Sequence, residues 1–396
     1  MTTAAPRPRR ILFVEANEDG TVGGSYQALY DLAVHLDRTR YEPVVMFYED
    51  NRFVPALRAA GVETHLFETV RSYENRVNES GSIPERALKM LRAVVSRRRA
   101  LADLRIDLLH LNNSPRVGCD DWLPAAKWHG CPCLVTAMGD AGRDEAAFRR
   151  WLTGRFDRVI AISQHIASRL VECDIPEELI RVIHLGTNIK EFRARATTPP
   201  ELTRQRLGLR PDDFFVLMPG NIKDWKGQHV LVEAVIALPE SIRARTQVRF
   251  AGATPSYAAG YRAELDRRIA EAGLADRLVF LGERRDIPDL MLAADAIVHA
   301  STFPEPFGLV VVEAMALGKP IVASELGGPA EIVSEGSGLL FHPARPAELA
   351  AHLARLAEDG GFRAAIGRAA EERAQGFDIS NNANATAAVY DEVLGG

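Results

Sequence analysis

The sequence predicts an α/β protein made of two doubly wound, Rossmann-like domains. Three observations carry this. Short apolar runs rich in Val and Ile alternate with amphipathic helical patterns almost from end to end, as expected for βαβ units and a parallel sheet buried on both faces. The alternation breaks once, over residues 194–213, where Pro199-Pro200, paired threonines and many charges carry no strand signal. A length of 396 residues suits two domains at about 150 residues each.

Taken in order, the first half predicts strands at 11–16, 43–48, 64–67, 108–111, 133–136, 159–162 and 182–185. The second half predicts strands at 215–218, 248–251, 278–281, 296–299 and 320–323. Residues 381–394 read as a final amphipathic helix. The expected organisation is therefore an N-terminal domain over 1–193, a linker over 194–213, a second domain over 214–380, and a terminal helix over 381–396 that packs back on the first domain. In such sheets ligands bind outside the carboxyl ends of the strands, so two of them are expected to form a cleft between facing strand ends.

Composition narrows the function. A net charge of -5 and a pI near 6.1 give no reason to expect nucleic acid as a partner. No apolar run reaches the ~18 residues of a membrane span, and the short run 11–14 reads as a strand rather than a signal-peptide core. The cysteines at 119, 131, 133 and 173 have neither zinc-site spacing nor the number for a disulfide framework. A reducing cytoplasm is the expected location.

The chemistry concentrates in residues 301–331. A strand at 296–299 runs into Ser301-Thr302-Phe303-Pro304-Glu305-Pro306-Phe307-Gly308, and 309–317 reads as a helix. Pro304 and Pro306 keep the approach extended. The free N–H groups around Phe307, Gly308 and Leu309 then suit an anion such as a diphosphate. Glu305 and Glu313 bracket this turn about 10 Å apart if the segment is helical. That spacing is too wide for a shared proton and suits two contacts along one long ligand.

Residues 305–313, Glu-Pro-Phe-Gly-Leu-Val-Val-Val-Glu, resemble the E-x7-E signature of family 4 glycosyltransferases, retaining enzymes of the GT-B fold. Gly318-Lys319-Pro320-Ile321-Val322-Ala323-Ser324 and Gly327-Gly328-Pro329-Ala330-Glu331 continue the likeness, and the N-terminal Gly-Gly loop also fits. The resemblance implies a hexosyltransferase using a nucleotide-diphosphate sugar and a hydroxyl acceptor (glycan, lipid-linked or small molecule), with the acceptor bound by the N-terminal domain. It gives Glu313 the nucleotide ribose and Glu305 the donor sugar near the reacting carbon. In Pro219-Gly220-Asn221-Ile222-Lys223-Asp224-Trp225-Lys226-Gly227 it gives Gly220 and Lys226 the diphosphate, while Asn221 stands where the family has arginine and Lys223 is a candidate to compensate. Gly23 and Gly24 are expected to line the cleft. Met138 replaces a histidine that meets the donor sugar, leaving Asp140 as a substitute.

His110, Asn112 and Asn113 end another strand and are candidates to line the cleft, the histidine suiting a satisfied structural role as well, and Ser163 suits a helix N-cap. The helix at 84–104 sets Arg86, Lys89, Arg92, Arg97, Arg98 and Arg99 against Leu88, Leu91 and Val95. This is either a solvated basic face or a peripheral membrane contact. No Asp-x-Asp cluster ends a strand, so transfer without metal or cofactor is expected. The alternatives are a nucleotide-sugar 2-epimerase of the same architecture, a non-catalytic nucleotide-sugar-binding subunit, and a dehydrogenase, the last disfavoured because no G-x-G-x-x-G follows a strand.

Overall fold

In the computed structural model, which describes residues 7–15, 24–67, 82–116, 118–139 and 147–395, two separate parallel sheets are found. The first contains β1 (Arg9–Glu15), β2 (Tyr41–Phe47), β3 (Glu63–Leu66), β4 (Leu108–Asn113), β5 (Cys133–Ala137), β6 (Arg158–Ala161) and β7 (Ile180–Val182). Its order is β3-β2-β1-β4-β5-β6-β7. The second contains β8 (Phe214–Pro219), β9 (Thr246–Ala251), β10 (Leu278–Gly282), β11 (Ala296–His299), β12 (Ile321–Ser324) and β13 (Leu339–Phe341). Its order is β10-β9-β8-β11-β12-β13, and the pairings in both sheets are parallel. Helices cover both faces of such a sheet, which is why Ile11, Leu12, Phe13 and Val14 are all buried in succession.

Two elements depart from the sequence reading. β13 is three residues long and follows Gly336-Ser337-Gly338, too little apolar sequence to stand out. β7 lies earlier than 182–185 because a 3-10 turn, Glu177–Leu179, feeds directly into it. As an edge strand it is only half-buried, so burial does not mark its bounds in the residue pattern.

The chain divides into one compact unit of Met1–Gly186 with Ile379–Gly396, and another of Thr187–Asp378. Residues 194–213 thus belong to the second unit instead of standing as a linker. Pro200 opens the helix Pro200–Arg206, at a position where its missing N–H costs nothing. Thr198 bonds Asp289 through both its N–H and its hydroxyl, and Arg204 pairs with Asp295 at 3.1 Å. Thr198 and Arg204 are thus fastened to the second unit from within the stretch that suggests a solvated connector, while Glu201, Arg206, Arg210 and Asp212 stay exposed.

The helix Ile379–Leu394 belongs to the first unit. There the Tyr390 hydroxyl lies 2.6 Å from His110 Nδ1, and His110 Nε2 lies 2.7 Å from Thr136 Oγ1. Both ring nitrogens are satisfied, and burial pulls the imidazole down to about 3. Ser163 is the N-cap of the helix Gln164–Glu172, accepting from Ile166 N at 3.1 Å.

The basic helix, Ile83–Asp103, is turned differently from its apolar pattern. It begins with a capping box between Ser82 and Glu85. Its packed face is Ala93, Val94, Arg97 and Leu101, whereas Leu88 and Leu91 are exposed. Arg97 is fully buried, bonds Asp121, and lies over the Phe67 and Trp122 rings at 4.3 and 5.5 Å from their centroids. Stacking and a buried carboxylate suit a guanidinium, so a residue read as solvent-facing belongs to the core.

His110 generates a pH dependence. Its folded value lies below the ~6.5 of an unfolded histidine, so its stabilising contribution is complete above that pH and declines as pH falls. Thermal unfolding should show the first unit losing about 2 kcal/mol from this group between pH 6.5 and 5. His110→Gln should be less stable at pH 7 and show a flatter pH profile.

Candidate functional site

In the second sheet the strand order reverses between β8 and β11, and crevices in open α/β sheets form outside the strand ends at such points. A cavity of about 410 Å³ opens there. Its lining comes from the ends of three strands and the helix after a fourth: Gly220 and Asn221 after β8, Gly252 and Ala253 after β9, Glu283 and Arg284 after β10, and Val310 and Glu313 on the helix Leu309–Ala316. Phe192 and Arg195 complete one wall. Glu313 is half-buried and Gly220, Asn221 and Glu313 share this one cavity. Asn221 also ties the loops together, because its side-chain oxygen accepts from Ala253 N at 3.2 Å and its carbonyl from Gln228 at 3.1 Å.

Glu305 and Lys226 are brought together. The turn Asp224–Lys226 is fastened to the loop after β11 by Thr302 N donating to the Trp225 carbonyl at 2.8 Å. Lys226 Nζ then reaches Glu305 Oε1 at 2.6 Å and lies 4.5 Å from the Trp225 ring centroid. His299 Nε2 stands 2.9 Å from the same oxygen, and Ser301 Oγ donates to it as well. Burial alone would raise the Glu305 carboxyl, but the nearby His299 and Lys226 outweigh it and hold the group well below the usual carboxylate range. Lys223 takes a different position, with its ammonium 5.7 and 5.9 Å from the Trp225 and Tyr257 ring centroids.

The backbone around Glu305 is gripped from one side. Gly328 N donates to the Glu305 carbonyl at 2.8 Å. Gly327 has φ +74° and a Cβ there would fall 2.4 Å from that same carbonyl oxygen, so a side chain is excluded on both counts. Gly308, with φ +110°, caps the helix that starts at Leu309. Phe307 is buried and meets the Phe377 ring edge-on at 6.0 Å.

In the first unit, Gly24 is the first residue of the helix Gly24–His35. Met138 is half-buried and its N–H donates to the Asn113 carbonyl at 2.8 Å. Asn112 and Asn113 both donate to Glu15 at the end of β1. Gly23 and Asp140 lie outside the described residues. Among the described residues, no group of three or more His, Cys, Asp and Glu side chains could hold a metal ion.

Sequence reasoning passes over His299, Ser301 and Arg195. His299 has a visible signal, a polar residue closing an apolar strand just before the Glu305 loop. Arg195 has none, since it sits in the stretch that reads as a linker.

Residues 22–191 match the Glycosyltransferase Family 4 family, and residues 200–373 match Glycosyl transferases group 1. The chain is 32% identical over 315 residues to a D-inositol 3-phosphate glycosyltransferase of Streptomyces bingchenggensis, covering 73% of this chain and 67% of that one. The chain is a family 4 glycosyltransferase. This glycosyltransferase is also 33% identical over 259 residues to the lipopolysaccharide core biosynthesis mannosyltransferase LpsB of Rhizobium meliloti, covering 64% of this chain and 70% of that one. Among solved structures, HepE of Anabaena in complex with UDP-glucose superposes with TM-score 0.76 at 28% identity, covering 96% and 99% of the two chains. A glycosyltransferase from Rickettsia africae shares the fold at TM-score 0.84 and 21% identity, covering 98% and 99%. The neighbours are GT-B glycosyltransferases, and the two Rossmann-like sheets are those of that fold.

Gly327→Ala tests the grip on Glu305. The strained φ and the close carbonyl should cost the second unit about 1–3 kcal/mol, read as a lower Tm, whereas alanine at the open position Gly336 should cost less.

Proposed function

We propose that this glycosyltransferase moves a hexose-type sugar from a nucleotide-diphosphate sugar to a hydroxyl acceptor, with retention of the anomeric configuration. The observation that carries the reading is the switch-point cavity with Glu313 on its wall, in the same unit as the Glu305–Lys226 pair. In this reading Glu313 accepts hydrogen bonds from the ribose. Gly220, Asn221 and the backbone around Phe307, Gly308 and Leu309 take the diphosphate, with Lys226 supplying charge. Departure of a nucleoside diphosphate develops negative charge, and fixed donors and a cation aimed at it are the effective way to lower the barrier. Glu305 faces the sugar near the reacting carbon, and the acceptor hydroxyl attacks from the side the leaving group departs. In the first unit the proposal assigns Gly23 and Gly24 to close backbone approach of ligand, and Asp140 to the polar contact that Met138 does not provide. HepE, which binds UDP and UDP-glucose, supports a nucleotide-sugar donor.

Calorimetry with UDP, GDP and ADP sugars is the direct test. One nucleotide class should bind saturably, and Glu313→Ala should weaken it at least tenfold. Lys226→Ala should lower kcat about a hundredfold or more. Turnover should persist in EDTA, as transfer without a metal requires. Failure of all three donor classes to bind would overturn the reading.

The acceptor side extends to a membrane surface in this proposal. No described helix is long and apolar enough to cross a bilayer. Leu88 and Leu91, 48% and 56% exposed, stand on the helix Ile83–Asp103 with exposed Arg92, Arg98 and Arg99. Apolar side chains flanked by cations are what an anionic interface holds. Wild-type protein should co-sediment with phosphatidylglycerol vesicles, and the Leu88→Asp/Leu91→Asp variant should lose most of that binding.

A further inference from the structure

Gly318-Lys319-Pro320 lies outside the switch-point cavity, at the other edge of the second sheet. The helix that carries Glu313 ends there. Gly318 is left-handed at φ +64°, and Lys319 N donates to the Ala314 carbonyl at 3.0 Å. Pro320 leads into β12, its carbonyl accepting from Ile297 N at 2.9 Å. Lys319 is thereby fixed, half-buried, at the amino end of an inner strand.

A second cavity, of about 670 Å³, opens at this edge, and Lys319 lines it together with Arg204 and Asp295. Its volume is that of a small-molecule site, and Leu209, Pro211 and Leu292 give it an apolar wall. Three cations, Lys319, Arg204 and Arg363, gather around Asp295. That carboxylate accepts from Arg204 at 3.1 Å and from Phe215 N at 2.8 Å, and Arg363 stands 4.0 Å from its other oxygen. Among the described residues, the Lys319 ammonium itself has no ion-pair or hydrogen-bond partner. Burial pulls the amine below the usual lysine range, with Asp295 opposing and Arg204 and Arg363 adding to the pull. The other charges on the lining are accounted for: Arg210 is tied to Asp213 at 2.9 Å, and Glu201 is exposed to solvent. A partly desolvated cation without a counterion is costly, and an anion entering the cavity would relieve that cost.

We propose that this cavity binds a phosphate monoester with an apolar body, its phosphate on Lys319 and its body along the Leu209–Leu292 wall. An ammonium serves a phosphate as a point charge with three donors. Arg204 and Arg363 stand behind it, so one carboxylate faces three cations, and that excess favours a doubly charged head group over a singly charged one. The site is separate from the donor crevice, because Lys319 precedes its strand whereas the donor loops follow theirs.

The test is calorimetry of the full chain, near neutral pH, with phenyl phosphate, inorganic phosphate and phenol. Phenyl phosphate should bind saturably, with a Kd of about 1 mM or tighter. Inorganic phosphate should bind more weakly, and phenol not measurably. Lys319→Met should weaken phenyl phosphate about tenfold or more, and Lys319→Arg should retain it. Lys226→Ala, at the donor edge, should bind it as wild type does. Gln205 lies on the cavity lining and is exposed, so Gln205→Glu should fold normally and weaken binding by repulsion. That variant decides the matter if Lys319→Met does not fold. No saturable binding, or wild-type affinity in Lys319→Met or in Gln205→Glu, would overturn the site. So would a loss in Lys226→Ala that matches the loss in Lys319→Met. Inorganic phosphate binding as tightly as phenyl phosphate would overturn the role of the apolar wall. The donor reading stands or falls separately, on nucleotide-sugar binding.

Discussion

Parallel strands can be joined only by crossovers, and that geometric constraint governs where everything else in the second unit is placed. Each strand must return to the same starting edge before the next one begins, so every carboxyl end emerges at the opposite edge. Five consecutive loops are collected there. They bring Asn221, Ala253, Arg284, Glu305 and Gly327 from positions far apart in the chain into one neighbourhood. The reversal of order between β8 and β11 sends the following helices to opposite faces, which opens a crevice in the crowd. Crowding also explains the glycine that follows β12, since the Glu305 carbonyl occupies the space its side chain would need.

Within that crowded edge, a nearly buried carboxylate is the costliest group, and its surroundings are arranged to keep it ionised. An isolated carboxylate at such a depth would take a proton instead of a charge. Lys226 comes from one loop, His299 from a strand end and Ser301 from between them. None of these side chains would be well placed alone. The Thr302–Trp225 hydrogen bond ties the two loops, so the ion pair is a product of loop architecture as much as of charge.

Much of this was legible in the residues. Continuous apolar runs identified all but one of the strands, because strands buried on both faces have no alternation to lose. The loop and helix running through Glu305 and Glu313 announced themselves through prolines, a glycine and two spaced carboxylates in an apolar setting. Where the reading erred, short-range pattern competed with tertiary placement. Pro199-Pro200 and the surrounding charges look like a connector, yet proline is at home in a first helical turn and Thr198 and Arg204 find partners some ninety positions away. Arg97 looks like one more cation of a basic face, and only the arrival of Asp121, Phe67 and Trp122 makes it a core residue. Pairings of that range leave no local trace. The division of the chain at Gly186 and Asp378 is of the same kind.

That division has a consequence for the order in which the molecule is made. The helix Ile379–Leu394 completes the first unit, and its Tyr390 closes over a histidine in the middle of β4. Nascent domains ordinarily settle one after another from the amino end. Here the first unit stays unfinished on the ribosome while the intervening 192 residues, Thr187–Asp378, are synthesised. Its apolar surface beneath the missing helix waits uncovered through that interval, so the earliest translated half is the last to be sealed.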